Sequence, residues 1–268
     1  MPVDIEARVI RNTRLSSDYN VIVLAAPEIA AATQPGQFVM VKAGRGSDPL
    51  LRRPFSVFEV LRGRGGIEGL TLLSKCIGVT TRMLHAAVEG DVISCLGPLG
   101  RPFDLVDPPV EAWLVAGGVG LAPFATMVEA LRARGTRTTL FYGARSEREL
   151  FYLDWFRERD VRLVLSTEDG SRGDRGRVTL PLERELQEAG AAAVTVYACG
   201  PEPMLAAVSR VAAQYSRPSQ VSVERVMGCG MGGCYSCVIP IKDPAGRPHY
   251  VRSCIGGPVF AGADIVWD

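Results

Sequence analysis

The chain has 268 residues, enough for about two domains of ordinary size, and 47% hydrophobic against 22% charged residues describes a folded globular protein, not a disordered, collagenous or disulfide-scaffold one. Thirty Lys and Arg meet twenty-nine Asp and Glu, so no net field directs the chain to nucleic acid or to an anionic membrane.

Met1–Val9 carries Asp4 and Glu6 and has no apolar core of signal-peptide length, so export by that route is not expected. Six short β-rich runs follow, at Glu6–Ile10, Asn20–Ala25, Gln37–Lys42, Ser56–Leu61, Gly69–Ser74 and Asp91–Cys95. Turn clusters separate them, the pattern of an antiparallel barrel or sandwich. Cys76 and Cys95 lie in these β-rich segments, Cys76 just past the fifth run, and read as small core residues. From Glu111 the order changes to strand then helix: Trp113–Ala116, Pro123–Arg134, Thr138–Tyr142, Glu147–Arg159, Val161–Ser166, Pro181–Ala189, Val194–Ala198 and Pro201–Tyr215. Repeated βα units predict a parallel sheet. Phe124, Met127, Val128 and Leu131 recur at helical spacing and give the first of these helices one apolar face, with Gly135 able to end it. The longest uncharged run, Ala112–Val128, is interrupted by Gly117, Gly118, Gly120 and Pro123 and is too short to span a bilayer.

Two turns in the βα region point to a dinucleotide. Gly118-Val119-Gly120-Leu121-Ala122-Pro123 joins a strand to the amphipathic helix as G-x-G-x-x-P, where glycines let a pyrophosphate approach the backbone and the helix N-terminus offers unpaired N–H groups. Glu168, in Ser166-Thr167-Glu168-Asp169, follows the third strand of this sheet, where an adenosine ribose would lie. A carboxylate there accepts a hydrogen bond from the ribose 2'-OH and repels a 2'-phosphate, which favours NAD, while Arg145 and Arg172 nearby act against that preference. Cys199-Gly200-Pro201 closes another strand at the same carboxyl edge.

Beyond Val226 the sequence is rich in Cys and Gly and has no long periodic segment, which predicts a small module held by something other than a hydrophobic core. Cys229, Cys234 and Cys237, with Cys254 further on, stand as C-x4-C-x2-C followed by a distant Cys, the spacing of plant-type [2Fe-2S] ligation. Gly230, Gly232 and Gly233 allow the loop to curl round a cluster. A tetrahedral zinc site and four ordinary buried thiols are the alternatives; zinc ligands usually come as two close pairs, and here only Cys234 and Cys237 form one. Seven cysteines in a chain without an export signal suit a reducing compartment, the cytoplasm. The two histidines, His85 and His249, sit in unrelated contexts, and no residue is expected to act as a catalytic acid or base.

Two further stretches, Arg53-Pro54-Phe55-Ser56-Val57 and Gly78-Val79-Thr80-Thr81, carry little alone. Taken with the turns and cysteines, and with Glu224-Arg225-x-Met227-x-Cys229 and Gly257-Pro258-Val259-Phe260, the chain resembles end to end the ferredoxin-NADP reductase superfamily. Within it, the order of motifs is similar to that of the electron-transfer subunits of NAD-dependent dihydroorotate dehydrogenases. The resemblance implies a multi-domain chain: an antiparallel β-barrel flavin domain over residues 1–104, an α/β parallel-sheet nucleotide domain over 105–220 and a small C-terminal iron-sulfur module over 221–268. It implies FAD, a [2Fe-2S] cluster and NAD as cofactors. Arg53, with Pro54 and Phe55, would meet the FAD phosphate, and Ser56 would sit near the reactive edge of the isoalloxazine. Gly78, Thr80 and Thr81 match the family's second flavin motif, commonly G-x-G-T, with Thr80 in place of its second glycine. Gly118, Gly120, Cys199, Gly200 and Pro201 match its pyridine-nucleotide motifs, which puts Cys199 close to the nicotinamide. Trp267 reads as a packing anchor.

The implied function is to pass electrons from a dihydroorotate-oxidising, FMN-containing catalytic subunit through [2Fe-2S] and FAD to NAD+, in a heterotetramer of two chains of each kind, without nucleic acid or a membrane span. A diaphorase subunit of a ferredoxin, sulfide or hydrogenase system would use similar parts, and a redox sensor that does not turn over is a third reading.

Overall fold

The computed structural model describes residues 1–44, 46 and 49–267. Its first half comprises strands β1 (Val3–Arg14), β2 (Tyr19–Ala25), β3 (Phe38–Ala43), β4 (Arg53–Ser56), β5 (Glu59–Gly63), β6 (Gly66–Lys75) and β7 (Val92–Leu99), with helices α1 (Pro27–Ala32) and α2 (Val79–Ala86). They form one antiparallel sheet in the order β4-β3-β7-β1-β2-β6-β5. β4 and β5 occupy opposite edges, yet only Val57 and Phe58 separate them in the chain. Three residue steps reach at most about 11 Å. The sheet therefore curls until its edges nearly meet, as an incompletely closed barrel. The single strand expected over Ser56–Leu61 is consequently two: Val57 turns into the barrel core, and Phe58 turns into the contact with the second half.

That second half contains β8 (Glu111–Gly117), α3 (Ala122–Ala133), β9 (Thr138–Ala144), α4 (Leu153–Arg157), β10 (Arg162–Thr167), β11 (Asp174–Arg175), α5 (Thr179–Ala189), β12 (Val194–Cys199), α6 (Glu202–Gln214) and β13 (Ser219–Ser222). These six strands are parallel, in the order β11-β10-β9-β8-β12-β13. The chain starts at β8, builds outward to β11, then crosses to β12 on the other side of β8. In sheets of this kind the crevice beyond such a reversal is where ligands bind. The apolar face of α3 is buried as its spacing predicts. The helix expected over Glu147–Arg159 is interrupted. Tyr152 adopts φ 60°, and Phe151 and Tyr152 pack on Tyr19 and Phe58 of the first half, with ring centroids 4.9 and 4.7 Å apart. Contacts distant in sequence override the local helical pattern.

The remaining chain forms a hairpin, β14 (Val238–Lys242) and β15 (Pro248–Arg252), then the single turn α7 (Ser253–Gly256) and β16 (Val259–Ala261). β16 pairs antiparallel with β13, so the last strand extends the parallel sheet. The three parts interlock. Arg101 N–H donates to the Gly257 carbonyl at 2.6 Å, and Tyr197 Oη and Gln220 Nε2 both donate to the Asp104 carbonyl, at 2.9 and 2.8 Å. Among the described residues no helix is long and apolar enough to cross a membrane.

Candidate functional site: a cysteine loop beside a dinucleotide crevice

The four cysteines of the C-terminal segment fall into two pairs by position: Cys237 and Cys254 share one buried cluster, and Cys229 and Cys234 lie on the loop that precedes them. Among the described residues no three His, Cys, Asp or Glu side chains converge as one metal ion requires. Four cysteines in one short segment can supply the four thiolates that a binuclear iron centre takes. Around Cys229 the chain curls so that the N–H groups of Met231 and Gly233 donate to its sulfur at 3.4 and 3.3 Å. Gly230, with φ 72°, makes this curl possible, and a Cβ there would lie 2.5 Å from Met40 Cγ of β3. Arg252 holds the far side, donating to the Gly232 carbonyl at 2.6 Å with its guanidinium 4.7 Å from the Tyr235 ring centre.

The two pairs differ in environment. Cys237 and Cys254 are buried in a small apolar cluster with Phe38, Met40, Leu96, Leu99 and Met227. Burial, and then contact with Cys237, pushes the Cys254 thiol up to about 12. Cys234 is exposed. Hydrogen bonds from the Ser236 hydroxyl and backbone, then from Cys229, pull its thiol down to about 6. Beside Cys229 opens a cleft of about 690 Å³, lined also by Lys42, Leu51, Arg52 and Met231. Of the other thiols Cys95 is fully buried, which pushes it up to about 12, and Cys76 is half-buried.

Strand register links the cysteines to the residues of the first half that the sequence motif points to. Val39 and Val41 of β3 face the barrel core, whereas Phe38 and Met40 face outward onto Cys237 and Cys254. Ser56 pairs with Phe38 and Pro54 with Met40. Directly paired residues project to the same face. Pro54 and Ser56 therefore share the outward face that supports the cysteine loop, while Phe55 packs on the barrel core. Arg53 is exposed, and among the described residues its Nη1 donates to the carbonyls of Leu51 and Arg52, at 2.9 and 3.1 Å. At α2, no atom lies within 4 Å of where a Gly78 side chain would be, leaving open space over the helix start. The two threonines behave differently from simple phosphate donors. Thr80 is buried, and Thr81 Oγ1 accepts from the N–H groups of Ile77 and Gly78 at 2.9 and 2.8 Å, closing the first turn.

In the second half, Gly118 and Cys199-Gly200-Pro201 flank the crevice between β8 and β12. Gly118 has φ 55° and nothing within 4 Å of its missing Cβ, so it is the open glycine of the loop. Gly120 serves packing: a Cβ there would lie 2.7 Å from Gly200 N and closer still to the Cys199 carbonyl. Phe58, Leu73 and Phe103 of the first half share one buried cluster with Leu121, Phe124 and Cys199, so the crevice abuts the flavin sheet. Burial, reinforced by the charge of Glu224, pushes the Cys199 thiol upward, which keeps it neutral. At the end of β10, Asp169 is committed to its own loop, accepting from Ser171 N and Oγ at 2.9 and 2.6 Å. Glu168 and Asp169 are both exposed, and so are Arg145 and Arg172 at the same edge. His85 lies on α2 and His249 on the exposed hairpin, well apart in the fold.

Sequence reasoning missed several supports of this site. Arg252, Ser236 and the outward face of β3 carry no motif. The bidentate pair between Arg225 and Glu202, at 2.8 and 3.0 Å, ties the start of the cysteine segment to α6 and was legible only as two charges 23 residues apart.

Comparison with known proteins places this geometry. Residues 114–210 match the model of the oxidoreductase NAD-binding domain, and residues 224–266 match that of the iron-sulfur cluster binding domain of dihydroorotate dehydrogenase B. The dihydroorotate dehydrogenase B (NAD(+)) electron transfer subunit of Desulforamulus reducens is 37% identical over 243 residues, covering 91% of this chain and 90% of that one. The chain belongs to this family. Its relative from Fusobacterium nucleatum is 32% identical over 95% of both chains, and that from Geobacillus kaustophilus 37% over 87% of both. Among solved structures, that of an NADH-dependent reduced ferredoxin-NADP oxidoreductase superposes with TM-score 0.83 at 27% identity, covering 97% of this chain and 90% of that one. A ferredoxin NADP+ reductase from Neisseria gonorrhoeae with bound FAD and NADP shares the fold with TM-score 0.67 at 19% identity, over 79% of this chain and 91% of that one.

Proposed function

We propose that this chain is the electron-transfer subunit of an NAD-dependent dihydroorotate dehydrogenase, working in pyrimidine biosynthesis in the cytoplasm. It joins an FMN-containing catalytic subunit as two chains of each. In this reading residues 1–104 hold FAD, 105–220 bind NAD and 221–268 hold the cluster. The supporting observation is that Cys237 and Cys254 pack on the sheet face that also carries Ser56, with Cys229 and Cys234 on the loop beside them.

A [2Fe-2S] cluster exchanges single electrons and FAD exchanges either one electron or a hydride, so together they supply a junction between one-electron and two-electron chemistry. The residues present fit both groups. Backbone N–H groups at Cys229 stabilise thiolate charge. Among the described residues Arg53 has no carboxylate partner in its hydrogen bonds and is available to a phosphate, as is the open space over the start of α2 beside Gly78. Gly118 leaves room for a pyrophosphate, Glu168 offers an acceptor to a ribose hydroxyl, and the neutral Cys199 thiol fills the floor of the crevice without adding charge. The exposed edge at Cys229 and Cys234, beside the cleft, is the side that a partner subunit reaches.

Dihydroorotate-dependent NAD+ reduction should require this chain together with the catalytic subunit, and full-rate activity by the catalytic subunit alone would overturn the proposal. The likeness to the NADH-dependent ferredoxin-NADP oxidoreductase favours a second reading, a diaphorase subunit. Exchanging the partner distinguishes the two, because a diaphorase subunit would transfer electrons with a ferredoxin and not with the dihydroorotate-oxidising chain.

A further inference from the structure

We propose that the Ser236 hydroxyl sets the reduction potential of the cluster by donating a hydrogen bond to the sulfur of Cys234. The inference rests on the reading that the four cysteines hold a binuclear iron centre.

Ser236 Oγ accepts Gly228 N–H at 2.9 Å and lies 3.2 Å from Cys234 Sγ. An amide can only donate, so it occupies a lone pair of the hydroxyl and leaves the single O–H proton for another acceptor. In the metal-free chain either atom of the serine–cysteine contact can be the donor. A cysteine bound to iron is a thiolate and has no S–H proton to give. In the loaded chain Ser236 is therefore the donor and Cys234 the acceptor. The hydroxyl is well placed for this role, because Ser236 stands between two ligands in Cys234-Tyr235-Ser236-Cys237. The left-handed turn at Tyr235, φ 58°, and the Arg252 guanidinium over that ring fix the local backbone.

Hydrogen bonds to the sulfurs are one of the protein's levers on cluster potential. Reduction adds one electron and one negative charge while the proton stays on the serine. A donor gains more from the more negative acceptor, so the contact stabilises the reduced state over the oxidised state and raises the potential. Met231 and Gly233 act in the same direction at Cys229 through backbone N–H groups. Ser236 exerts this effect through a side chain, and a single substitution removes it.

The test compares wild type, Ser236→Ala and Ser236→Thr, each purified without oxygen. Iron and sulfide per chain are counted, and the midpoint potential is read from the spin-resonance signal of the reduced cluster. All three chains should hold the cluster. Ser236→Ala should be reduced about tenfold less readily, a fall of ~59 mV for a one-electron couple, and Ser236→Thr, which keeps the hydroxyl, should stay within about twofold of wild type. A loaded Ser236→Ala chain within about twofold of wild type overturns this inference alone. So does a Ser236→Ala chain that loses its iron while Ser236→Thr keeps it, which would make the hydroxyl only a structural tie to Gly228. A wild-type chain that binds no binuclear iron overturns the four-cysteine reading and this inference with it.

Discussion

Replacing Gly120 by alanine sets a methyl carbon 2.7 Å from the Gly200 amide nitrogen, with the Cys199 carbonyl nearer still. Both obstacles are backbone, so no side-chain rotation relieves them, and the loop after β8 has to move away from the turn after β12. Overpacking of this kind typically costs ~1–3 kcal/mol, and the rigidity of the obstacles points to the upper end, about 3 kcal/mol. For a chain of this size each kcal/mol is worth about 2–4 °C, so its melting should fall by roughly 6–12 °C. NADH binding should weaken as well, because both loops flanking the crevice are displaced. Gly118→Ala is the control. Its left-handed backbone makes a side chain unfavourable by ~1 kcal/mol, yet no atom lies within 4 Å of the new methyl. Its melting should fall by only about 2–4 °C, with the larger effect on binding. Scanning calorimetry and a fluorescence titration with NADH measure both quantities. Equal melting of Gly120→Ala and wild type, or a greater loss for Gly118→Ala, would refute the packing argument.

Two further outcomes are expected. Arg162 grips Glu185 through two bonds of 2.7 and 2.8 Å between β10 and α5, and this holds the Glu185 carboxyl below its ordinary value of 4.5. A depressed carboxyl stabilises the fold above its unfolded value and loses that contribution as pH falls through the folded one. Glu185→Gln should therefore cost about 1 kcal/mol at pH 7, the pair being partly exposed, and the gap in melting temperature from wild type should close as pH falls below about 4.5; a gap independent of pH refutes this. At the cysteine loop, Gly230→Ala drives a methyl to 2.5 Å from Met40 Cγ and should lower iron content per chain. Combined with Met40→Ala, it should be less destabilising than the sum of the single changes by about 1 kcal/mol or more, and simple additivity would rule out the contact.

The parts of the fold that were legible in sequence were those written locally. The apolar spacing of Phe124, Met127, Val128 and Leu131 needs only one helix to express it, and the βα alternation from Glu111 implies the parallel sheet. What escaped depends on distant partners. β13 and β16 are four and three residues long, too short for any period to show, and exist because β13 pairs with β12 and β16 with β13. The break at Tyr152 is imposed by aromatic rings of the first half. At the site, cysteine spacing was explicit, and the glycines were visible without their purposes. The sequence of Gly118 and Gly120 does not reveal that one faces open space and the other faces Cys199. Nor does it reveal that Thr81 spends its hydroxyl on the start of α2.

The return of β16 to β13 has a consequence for biogenesis. The segment bearing the cysteines leaves the parallel sheet after Ser222 and rejoins it at Val259. Until residues 259–261 emerge from the ribosome, β13 displays a bare row of amide and carbonyl groups, a sticky template for stray strands. The cysteine-bearing loop meanwhile lacks its return anchor on the sheet. Nascent chains cut short of this stretch should be the ones that chaperones must guard.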